Sequence, residues 1–588
     1  MVLLSYMREV NHMKVKKYTA TFLGVLLSTT ILSTNVLTIY AEGDNQPPQS
    51  NTDGTPPEKP DSENGGTPPE MPAGNMQGGA NTQTFDYNGS YSGVKNATGS
   101  QETSSNETIR TSEVDQNAVL AQDGGTFTID NDTIEKSGDD TNGDNCNFYG
   151  LNSIALSVGS NSLLKIANSK LSADSEGSNG IFSTDNATAY SYNTTISTSS
   201  DNSRGLDATY GGTIIADSMD ITTQGNHSAS IATDRGGGNV SVTNSTLSTA
   251  GSGSPLLYST GDIEVDNVTG TASGSQIAGM EGLNKMLIYH SQLSSTNNAI
   301  SGSDPIKNGV IIYQSTSGDA DTSAANKARF EASNSILSTT IDSGSMFYLT
   351  NTDADIVLSS SILSFDAENV NLLQVEGNDA NNWGSAGSNG ATVKFTGLSE
   401  TLEGNISVDS ISSADVYLLE GSTYTGATAI TQNAINSNPT DAPITMNISS
   451  DSTWIVTKDS TVTNLNVEDG GKIVDADGKT VSIIQDGKTI VEGDSAYTIT
   501  VTGSYGTSFT TDAENALSTS YIDRTGFDST YNLSTTMNTN TASSEETTAA
   551  ETTVSTKQDA NNSVVYAIAA IASIVIGGGV VYLFKKKH

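Results

Sequence analysis

The sequence contains little cysteine and few basic residues, and each shortage argues against a class of protein. A single cysteine, Cys146, allows neither an intramolecular disulfide nor a CxxC-type zinc or redox site. We expect Cys146 to be a small buried side chain, the alternative being a reactive or intermolecular thiol. Only 26 Lys and Arg stand against 66 Asp and Glu. Phosphate binding needs clustered basic residues, so the composition argues against a nucleic-acid partner.

The N-terminus has the layout of an export signal. From Met13 the chain has a basic start, an apolar stretch and then Ala41, ahead of an acidic polar segment. This order predicts a secretory signal peptide over residues 1–41, with translation starting at Met1 or Met13. The alternative is an uncleaved membrane anchor.

The C-terminus predicts a membrane anchor. Residues 563–584 carry no charge, and Lys585, Lys586 and Lys587 follow at once. A helix of that length spans about 30 Å, and the lysines would hold residues 585–588 in the cytoplasm. The tail resembles the sorting signal of Gram-positive wall proteins, but no LPxTG-type motif precedes it. We therefore expect a single-pass protein at a bacterial cell surface, with residues 42–562 outside.

Two segments read as linkers. Residues 42–84 are rich in Pro, Gly and Asn, and TPPEKP at Thr55 recurs as TPPEMP at Thr67. Such a stretch buries too little apolar surface to order, so a disordered spacer is predicted. Residues 506–562 are rich in Ser, Thr, Ala and Glu, which predicts a stalk.

Between the linkers an internal repeat can be counted. Asn or Ser stands just before a β-branched patch with a step of 23 to 26 residues over most of the region. This corner column comprises Asn131, Asn168, Asn193, Ser218, Asn244, Asn267, Ser291, Asn334 and Ser360. A second column runs in phase with it through Ile181, Leu206, Ile231 and Leu257.

A period of about 25 residues fits one coil of a parallel β-helix, made of three short strands joined by turns. Equivalent residues of successive coils then stack about 4.8 Å apart, so Leu206 lies over Ile231 inside the coil. Asn suits the corner because it tolerates the left-handed conformation and can bond to its stacked neighbour. The predicted fold class is all-β, with an N-terminal cap over 85–122 and the β-helix over 123–505.

Two insertions interrupt the repeat. The step from 291 to 334 holds a coil core at 309–312 and a loop at about 315–327, which includes Gly318 and Asp319. A second excursion starts at Gly377 and carries Trp383. Loops on a rigid scaffold often carry binding, so the loops around Gly318, Asp319 and Trp383 are the predicted binding surfaces, the alternative being incidental insertions.

The C-terminal coils resemble those of pectin-lyase-like adhesins and autotransporter passengers. In those proteins a Trp opens a coil and a T-x-x-N-L run follows, here Trp454 and Thr463, Asn464 and Leu465. The resemblance covers roughly residues 120–500. It implies a right-handed parallel β-helix exposed on a bacterial surface, and it names no ligand.

Polysaccharide lyases and polygalacturonases share that fold, so their catalytic patterns are the ones to compare with this chain. The polygalacturonase-like pattern combines NTD, a DD pair, GHG and RxK. Asn351-Thr352-Asp353 and Asp139-Asp140 are far apart in coil number, and neither GHG nor RxK occurs. His227 and His290 lack matching neighbours in sequence, and Arg204 and Arg235 fall at different offsets. No catalytic residue is predicted.

A cation site has weak support. Asp140, Asn142 and Asp144 have the alternate spacing of a calcium loop, but the following glycine and a distal glutamate are missing. An ordinary polar turn is the favoured interpretation, and no metal or other cofactor is predicted.

These observations leave three hypotheses. The first is a non-enzymatic surface adhesin or scaffold that binds an extracellular glycan or protein. The second is a polysaccharide-active β-helix enzyme, a lyase or glycoside hydrolase. The third is a structural surface-coat protein.

Overall fold

The computed structural model describes residues 83–320, 327–379, 383–436 and 438–537, and they form a parallel β-solenoid. Through most of the rod each coil gives one strand to each of three sheets, and these strands pair in parallel with their equivalents in the neighbouring coils. The predicted parallel β-helix is therefore confirmed as an architecture.

Sheets A and B run through most of the coils. Sheet A contains thirteen strands: β1 (Gly93–Thr98), β4 (Asn117–Gln122), β7 (Ala155–Val158), β10 (Ile181–Thr184), β13 (Leu206–Ala208), β16 (Ile231–Thr233), β19 (Leu257–Ser259), β22 (Ala278–Glu281), β25 (Asn308–Tyr313), β28 (Ser345–Thr350), β31 (Asn371–Val375), β34 (Ile406–Asp409) and β37 (Thr428–Thr431). Sheet B contains fifteen: β2 (Gln101–Ser105), β5 (Thr126–Asp130), β8 (Leu163–Ala167), β11 (Thr188–Tyr192), β14 (Thr213–Asp217), β17 (Asn239–Thr243), β20 (Asp262–Asp266), β23 (Lys285–Tyr289), β26 (Ala328–Ser333), β29 (Asp353–Ser359), β32 (Thr392–Leu398), β35 (Ser413–Leu419), β38 (Ile444–Ile448), β41 (Asn464–Val467) and β46 (Tyr505–Gly506).

The third side of the coil changes sheet along the chain. Sheet C contains ten strands: β3 (Thr108–Thr111), β6 (Thr133–Lys136), β9 (Lys170–Ala173), β12 (Thr195–Thr198), β15 (Asp220–Thr223), β18 (Thr246–Thr249), β21 (Thr269–Ala272), β24 (Gln292–Ser295), β27 (Ile336–Thr339) and β30 (Ile362–Ser364). Sheet D follows it in the later coils with β33 (Thr401–Glu403), β36 (Thr423–Gly426), β39 (Thr453–Val456) and β42 (Lys472–Val474). Sheet E contains β40 (Ser460–Val462), β43 (Ser482–Gln485), β44 (Lys488–Val491) and β45 (Thr498–Val501), and its β43–β44 pair is antiparallel.

The described residues also include two short α-helices, α1 (Gly143–Tyr149) and α2 (Thr525–Tyr531), and a 3₁₀ helix at Ala513–Asn515. Asn142 caps α1, because its side-chain oxygen accepts from the backbone N–H groups of Asp144 and Asn145. The segment considered as a calcium loop thus ends in a helix cap.

The core is a set of stacked apolar ladders. Leu206 pairs in register with Ile231, and both side chains are fully buried. Ile181 and Leu257 extend the same ladder in the neighbouring coils. The predicted stacking of equivalent residues is confirmed.

The corner column is also confirmed, with one correction. Asn168, Asn193 and Asn244 all have positive φ, and the Asn193 side-chain amide donates to Asn168 Oδ1 at 2.8 Å. The correction concerns the coil at 290, where His290 and not Ser291 holds the left-handed position. Because Asp266 pairs with Tyr289, the residue after each aligns, and His290 falls beside Asn267.

The solenoid begins earlier than predicted. β1, β2 and β3 already form a coil that pairs with the next, so residues 93–122 belong to the rod and not to a cap. Asn106 marks this corner with a φ of 58°, one period before Asn131, and its Oδ1 accepts from the Asn131 amide. The arm that precedes the rod comprises residues 83–92.

The segment after the rod also differs from its interpretation as a stalk. Residues 507–537, named the strap here, run back along the outer face of sheet B. Asn515 bonds to Thr396 of β32, and farther along Tyr531 bonds to the Ile166 carbonyl of β8. Only residues 538–562 of the predicted stalk are left, and they lie outside the described residues.

The predicted signal peptide, the linker up to residue 82 and the predicted membrane helix at 563–584 also lie outside the described residues. Within the described part of the chain, no helix combines the length and the apolar character needed to cross a membrane.

Candidate functional site

The outer face of sheet A changes character along the rod. One outward-facing column, aligned strand by strand from β4 to β28, is apolar at both ends and small or polar in its middle. It runs Leu120, Leu156, Phe182, Asp207, Ala232, Tyr258, Gly279, Ile311 and Tyr348. Since Ala232 and Gly279 have little or no side chain, the middle of this face is a depression.

Chain segments cover the two apolar ends. The arm packs Phe85 and Tyr91 onto the first end, and Phe85 makes edge-to-face contacts with Tyr149 of α1 and with Tyr210. At the other end Trp383 packs on Ile311 and Tyr348 and stacks on Tyr313, with ring centroids 4.2 Å apart. The middle is left open.

The open middle is a cavity of about 240 Å³, named the sheet A cleft. One wall comes from α1 and the turns after β12 and β16, with Phe148, Arg204 and Asp234. The other wall comes from the loop before β25 and the loop after it. The lining includes Asn147, Phe148, Arg204, His227, Asp234, Tyr258, Gln276, Gly279, Ser301, Asp304, Tyr313 and Asp319.

A buried arginine lies between two carboxylates in the first wall. Arg204 Nη2 donates to Asp234 Oδ2 at 2.8 Å, and Nη1 lies 3.5 Å from Asp207 Oδ2. The Asp207 side chain is 0% exposed, and neither of its oxygens accepts a hydrogen bond of ordinary geometry from the described residues. Burial raises the pKa of Asp207 and of Asp234, and Arg204 opposes both shifts.

Asp304 is another acid that lines the cleft. It is half-buried in the loop before β25, and its Oδ2 accepts from Asn308 Nδ2 at 2.8 Å. No ion pair to Asp304 is found among the described residues. Burial raises its pKa to about 7, against the opposing effect of the Asn308 bond.

Glu281 holds the loop that follows β25. Its carboxylate accepts from the hydroxyls of Tyr258 at 3.0 Å, Tyr313 at 3.1 Å and Ser317 at 3.2 Å, and also from Ser315. Burial and the Glu281 charge raise the pKa of both tyrosines well above the ordinary value, so they remain hydrogen-bond donors.

A clasp closes the rim of the cleft. Arg235 Nε lies 2.6 Å from Asp319 Oδ1, and the Arg235 guanidinium lies 3.6 Å from the centre of the Phe148 ring. Gln83 of the arm donates to the carbonyls of Gly318 and Asp319 at 2.8 and 2.9 Å. The arm, α1 and the loop are thus fastened together beside the cleft.

The structure brings only part of the predicted binding surface to this site. Gly318 and Asp319 lie at the rim. Trp383 does not line the cleft, because its ring packs over Tyr313 and the residue is only 7% exposed.

Several residues of the cleft were not predicted from the sequence as site residues. His227 was set aside because it lacks matching neighbours in sequence, and Arg204 and Arg235 because they fall at different offsets. All three nonetheless lie at the cleft or its rim. His290 also has a neighbour, Asp266, at 2.8 Å. Asp304 lies in an insertion before the 309–312 core that the repeat count did not separate.

The other chemical candidates do not line the cleft. Asp139 and Asp140 follow β6. Asn351 follows β28 and Asp353 begins β29, so these two residues are many coils away. Cys146 is fully buried in α1, and burial raises the pKa of its thiol. In the residues that the structure describes, no three His, Cys, Asp or Glu side chains are grouped so as to hold a metal ion.

Comparison of the chain with protein-family models, with curated proteins and with solved structures gives no match.

Proposed function

We propose that this protein is a non-enzymatic binding scaffold of a bacterial cell surface, and that it binds an extracellular glycan in the sheet A cleft. The observation that carries the proposal is the cleft itself. It is a concave site on one face of the rod, lined by both polar and apolar groups. Hydrogen bonds and an ion pair hold the loops that form its walls. Concave sites with converging polar groups are the usual places for small ligands.

The ends of the sequence support the surface location. The export signal at 1–41 and the apolar stretch at 563–584 would leave the rod outside the cell, tethered by one helix. The resemblance of the closing coils to pectin-lyase-like adhesins points in the same direction. The strong negative charge also fits a soluble extracellular region.

The cleft size limits what enters it. Its volume of about 240 Å³ is below the roughly 300–1,000 Å³ typical of sites for drug-sized ligands. One sugar unit or one side chain fits better than a long polymer segment. A glycan is favoured because hydroxyl and amide groups, including those of Tyr258, Gln276 and Ser301, line the cavity.

A polysaccharide-active enzyme is the second candidate, and one observation favours it. Asp234 and Asp304 line the same cavity, and burial raises the pKa of both. Glycoside hydrolysis uses a pair of carboxyl groups, one of which is protonated. Against this, Asp234 is already engaged by Arg204.

Glycan-array binding by the detergent-solubilised full chain tests the proposal. The blocking variant is Gly279→Leu: Gly279 is not in the left-handed region, and a Cβ there meets its neighbours at 3.5 Å or more, so the new side chain fills the cleft. The control is Ser248→Leu, on the exposed face of sheet C. Wild type and the control should bind, and Gly279→Leu should not.

Other results would overturn the proposal. Release of reducing or unsaturated sugar ends by the wild-type chain would establish the enzyme instead. Concentration-dependent filaments without glycan binding would point to a surface-coat protein. Equal glycan binding by Gly279→Leu would place the ligand elsewhere on the rod.

A further inference from the structure

The acids around the sheet A cleft outnumber the cations that face them. Arg204 serves two carboxylates, Asp207 and Asp234. Arg235 is taken by Asp319 at the rim. Among the described residues, neither Glu281 nor Asp304 has an ion-pair partner, and their bonds come from hydroxyl and amide groups. The pocket therefore holds more carboxyl groups than cations.

Such an excess is costly in a partly buried site. A carboxylate removed from water without a cation is destabilised, and the protein answers by raising its pKa or by supplying a partner. The partner is missing here for Asp304, which lines the cavity directly. Asp207, fully buried behind Arg204, leaves both carboxylate oxygens without an ordinary hydrogen bond.

The missing charge does not fit a metal ion. No group of three His, Cys, Asp or Glu side chains in the described residues is arranged to hold one. The cavity also presents the Tyr258 side chain and the amides of Asn147 and Gln276, which are suited to a larger polar ligand. An organic cation satisfies both the charge and the space.

We propose that the sheet A cleft binds an amino sugar through its free primary ammonium group, which Asp304 accepts. This rests on the proposed glycan-binding function and specifies its ligand class. The ammonium supplies the cation that Asp304 lacks, and the ring hydroxyls meet the amides and hydroxyls of the walls. A charge-assisted bond of this kind changes affinity by about ten- to a hundredfold.

Calorimetry with the full chain and three sugars tests the charge requirement. Glucosamine should bind at least about tenfold more tightly than N-acetylglucosamine or glucose, which lack the ammonium. Asp304→Asn keeps the shape and removes the charge, so it should lose that preference and bind the three sugars with similar affinity. Asp220→Asn, on the exposed face of sheet C, is the matched control and should keep the preference.

The possible outcomes distinguish a failure of the ammonium proposal from a failure of the proposed glycan binding. Equal affinity for the three sugars, or an unchanged preference in Asp304→Asn, would overturn the ammonium proposal and leave glycan binding standing. Binding of lysine methyl ester as tightly as glucosamine would overturn the sugar part. Absence of binding to these sugars and to every glycan of the array would overturn both.

Discussion

The outer faces of sheets A and B are both covered by flanking chain, but with opposite results. On sheet B the strap lies along a continuous outward column and leaves it buried; the column runs Ile215, Ser241, Glu264, Leu287, Glu331, Val357 and Thr396. On sheet A the covering segments stop at two ends and leave a cleft between them. One face is closed and the other is open.

The difference is clearest in how each face treats its buried acids. On sheet B, Glu264 accepts from the Ile522 N–H with both oxygens, at 3.0 and 2.9 Å, and Glu331 accepts from the Ser518 N–H at 3.0 and 3.1 Å. On sheet A, Glu281 accepts from four hydroxyl groups, but Asp304, half-buried in the wall of the cleft, receives a single amide bond. Acids that the chain itself satisfies hold the structure together, whereas an acid left without a cation in a cavity marks a place for a ligand.

The largest expected effect comes from opening the closed face at Arg524. Its five N–H donors bond to Ser241, Thr243, the Ala216 carbonyl and Thr535, and the residue is 5% exposed. Arg524→Ala leaves those acceptors unsatisfied, and we expect a loss of about 3–5 kcal/mol, read as a lower thermal midpoint. Arg110→Ala, which breaks an exposed ion pair on sheet C, is the control and should leave the midpoint unchanged. Equal midpoints for the two variants would mean that the strap does not stabilise the rod.

A somewhat smaller effect is expected from Leu287→Ala. Leu287 points outward from sheet B, yet it is fully buried against Met537 and Leu517 of the strap. Truncation creates a cavity under the strap, which costs about 2–4 kcal/mol in denaturant unfolding. Ile362→Ala is the matched control, since Ile362 also faces outward but is 48% exposed on sheet C. A loss no greater than that of the control would contradict the closed face.

Glu264, which lies under the strap, should make the stability of the chain depend on pH. Burial raises the pKa of Glu264 to about 7, above the ordinary 4.5, so the folded chain holds a proton that the unfolded chain releases. The corresponding stability is fully present below about pH 4.5 and is lost as the pH rises to about 7. We expect the thermal midpoint of wild type to fall over this range by the equivalent of about 1–3 kcal/mol more than that of Glu264→Gln.

Glu400 provides the control for this titration. Burial raises its pKa to about 7 as well, but it bonds to the Ser361 N–H within the rod and not to the strap. Glu400→Gln should also reduce the pH dependence of the thermal midpoint. Because Glu400 does not bond to the strap, this variant should leave the rate of protease cleavage within the strap unchanged. Parallel pH profiles for wild type and Glu264→Gln would exclude Glu264 as the source.

The rod could be predicted from the sequence because its contacts repeat along the chain. Leu206 and Ile231, or Asn168 and Asn193, are neighbours in space because they are one coil apart, so a constant spacing reveals them. The start of the rod at Gly93 was not predicted, although the sequence carries a signal for it, since Asn106 precedes Asn131 by one period.

The strap and the cleft could not be predicted in the same way. Arg524 contacts Ser241 across 283 residues, and no period links them. The outward apolar residues Ile215 and Leu287 gave a partial signal, because they break the alternation expected of a strand with one exposed face. The cleft arises from small residues at Ala232 and Gly279 and from Asp304 in an insertion, and none of these stands out without the register of the strands.

The smallest expected effect concerns the open face, where the walls are held by local clasps. Asp319→Ala removes the ion pair with Arg235 at the cleft rim, and both partners are partly exposed, so the thermal midpoint should shift by less than the equivalent of about 1 kcal/mol. The loop should nonetheless open more often, because local opening depends on its own few contacts. Limited proteolysis should therefore cut residues 314–320 faster in this variant than in wild type, while Asp342→Ala, which breaks the exposed pair with Lys307, leaves the rate unchanged. An unaltered rate in Asp319→Ala would mean that Glu281 and Gln83 hold the loop without the clasp, and that the open face is as firmly built as the closed one.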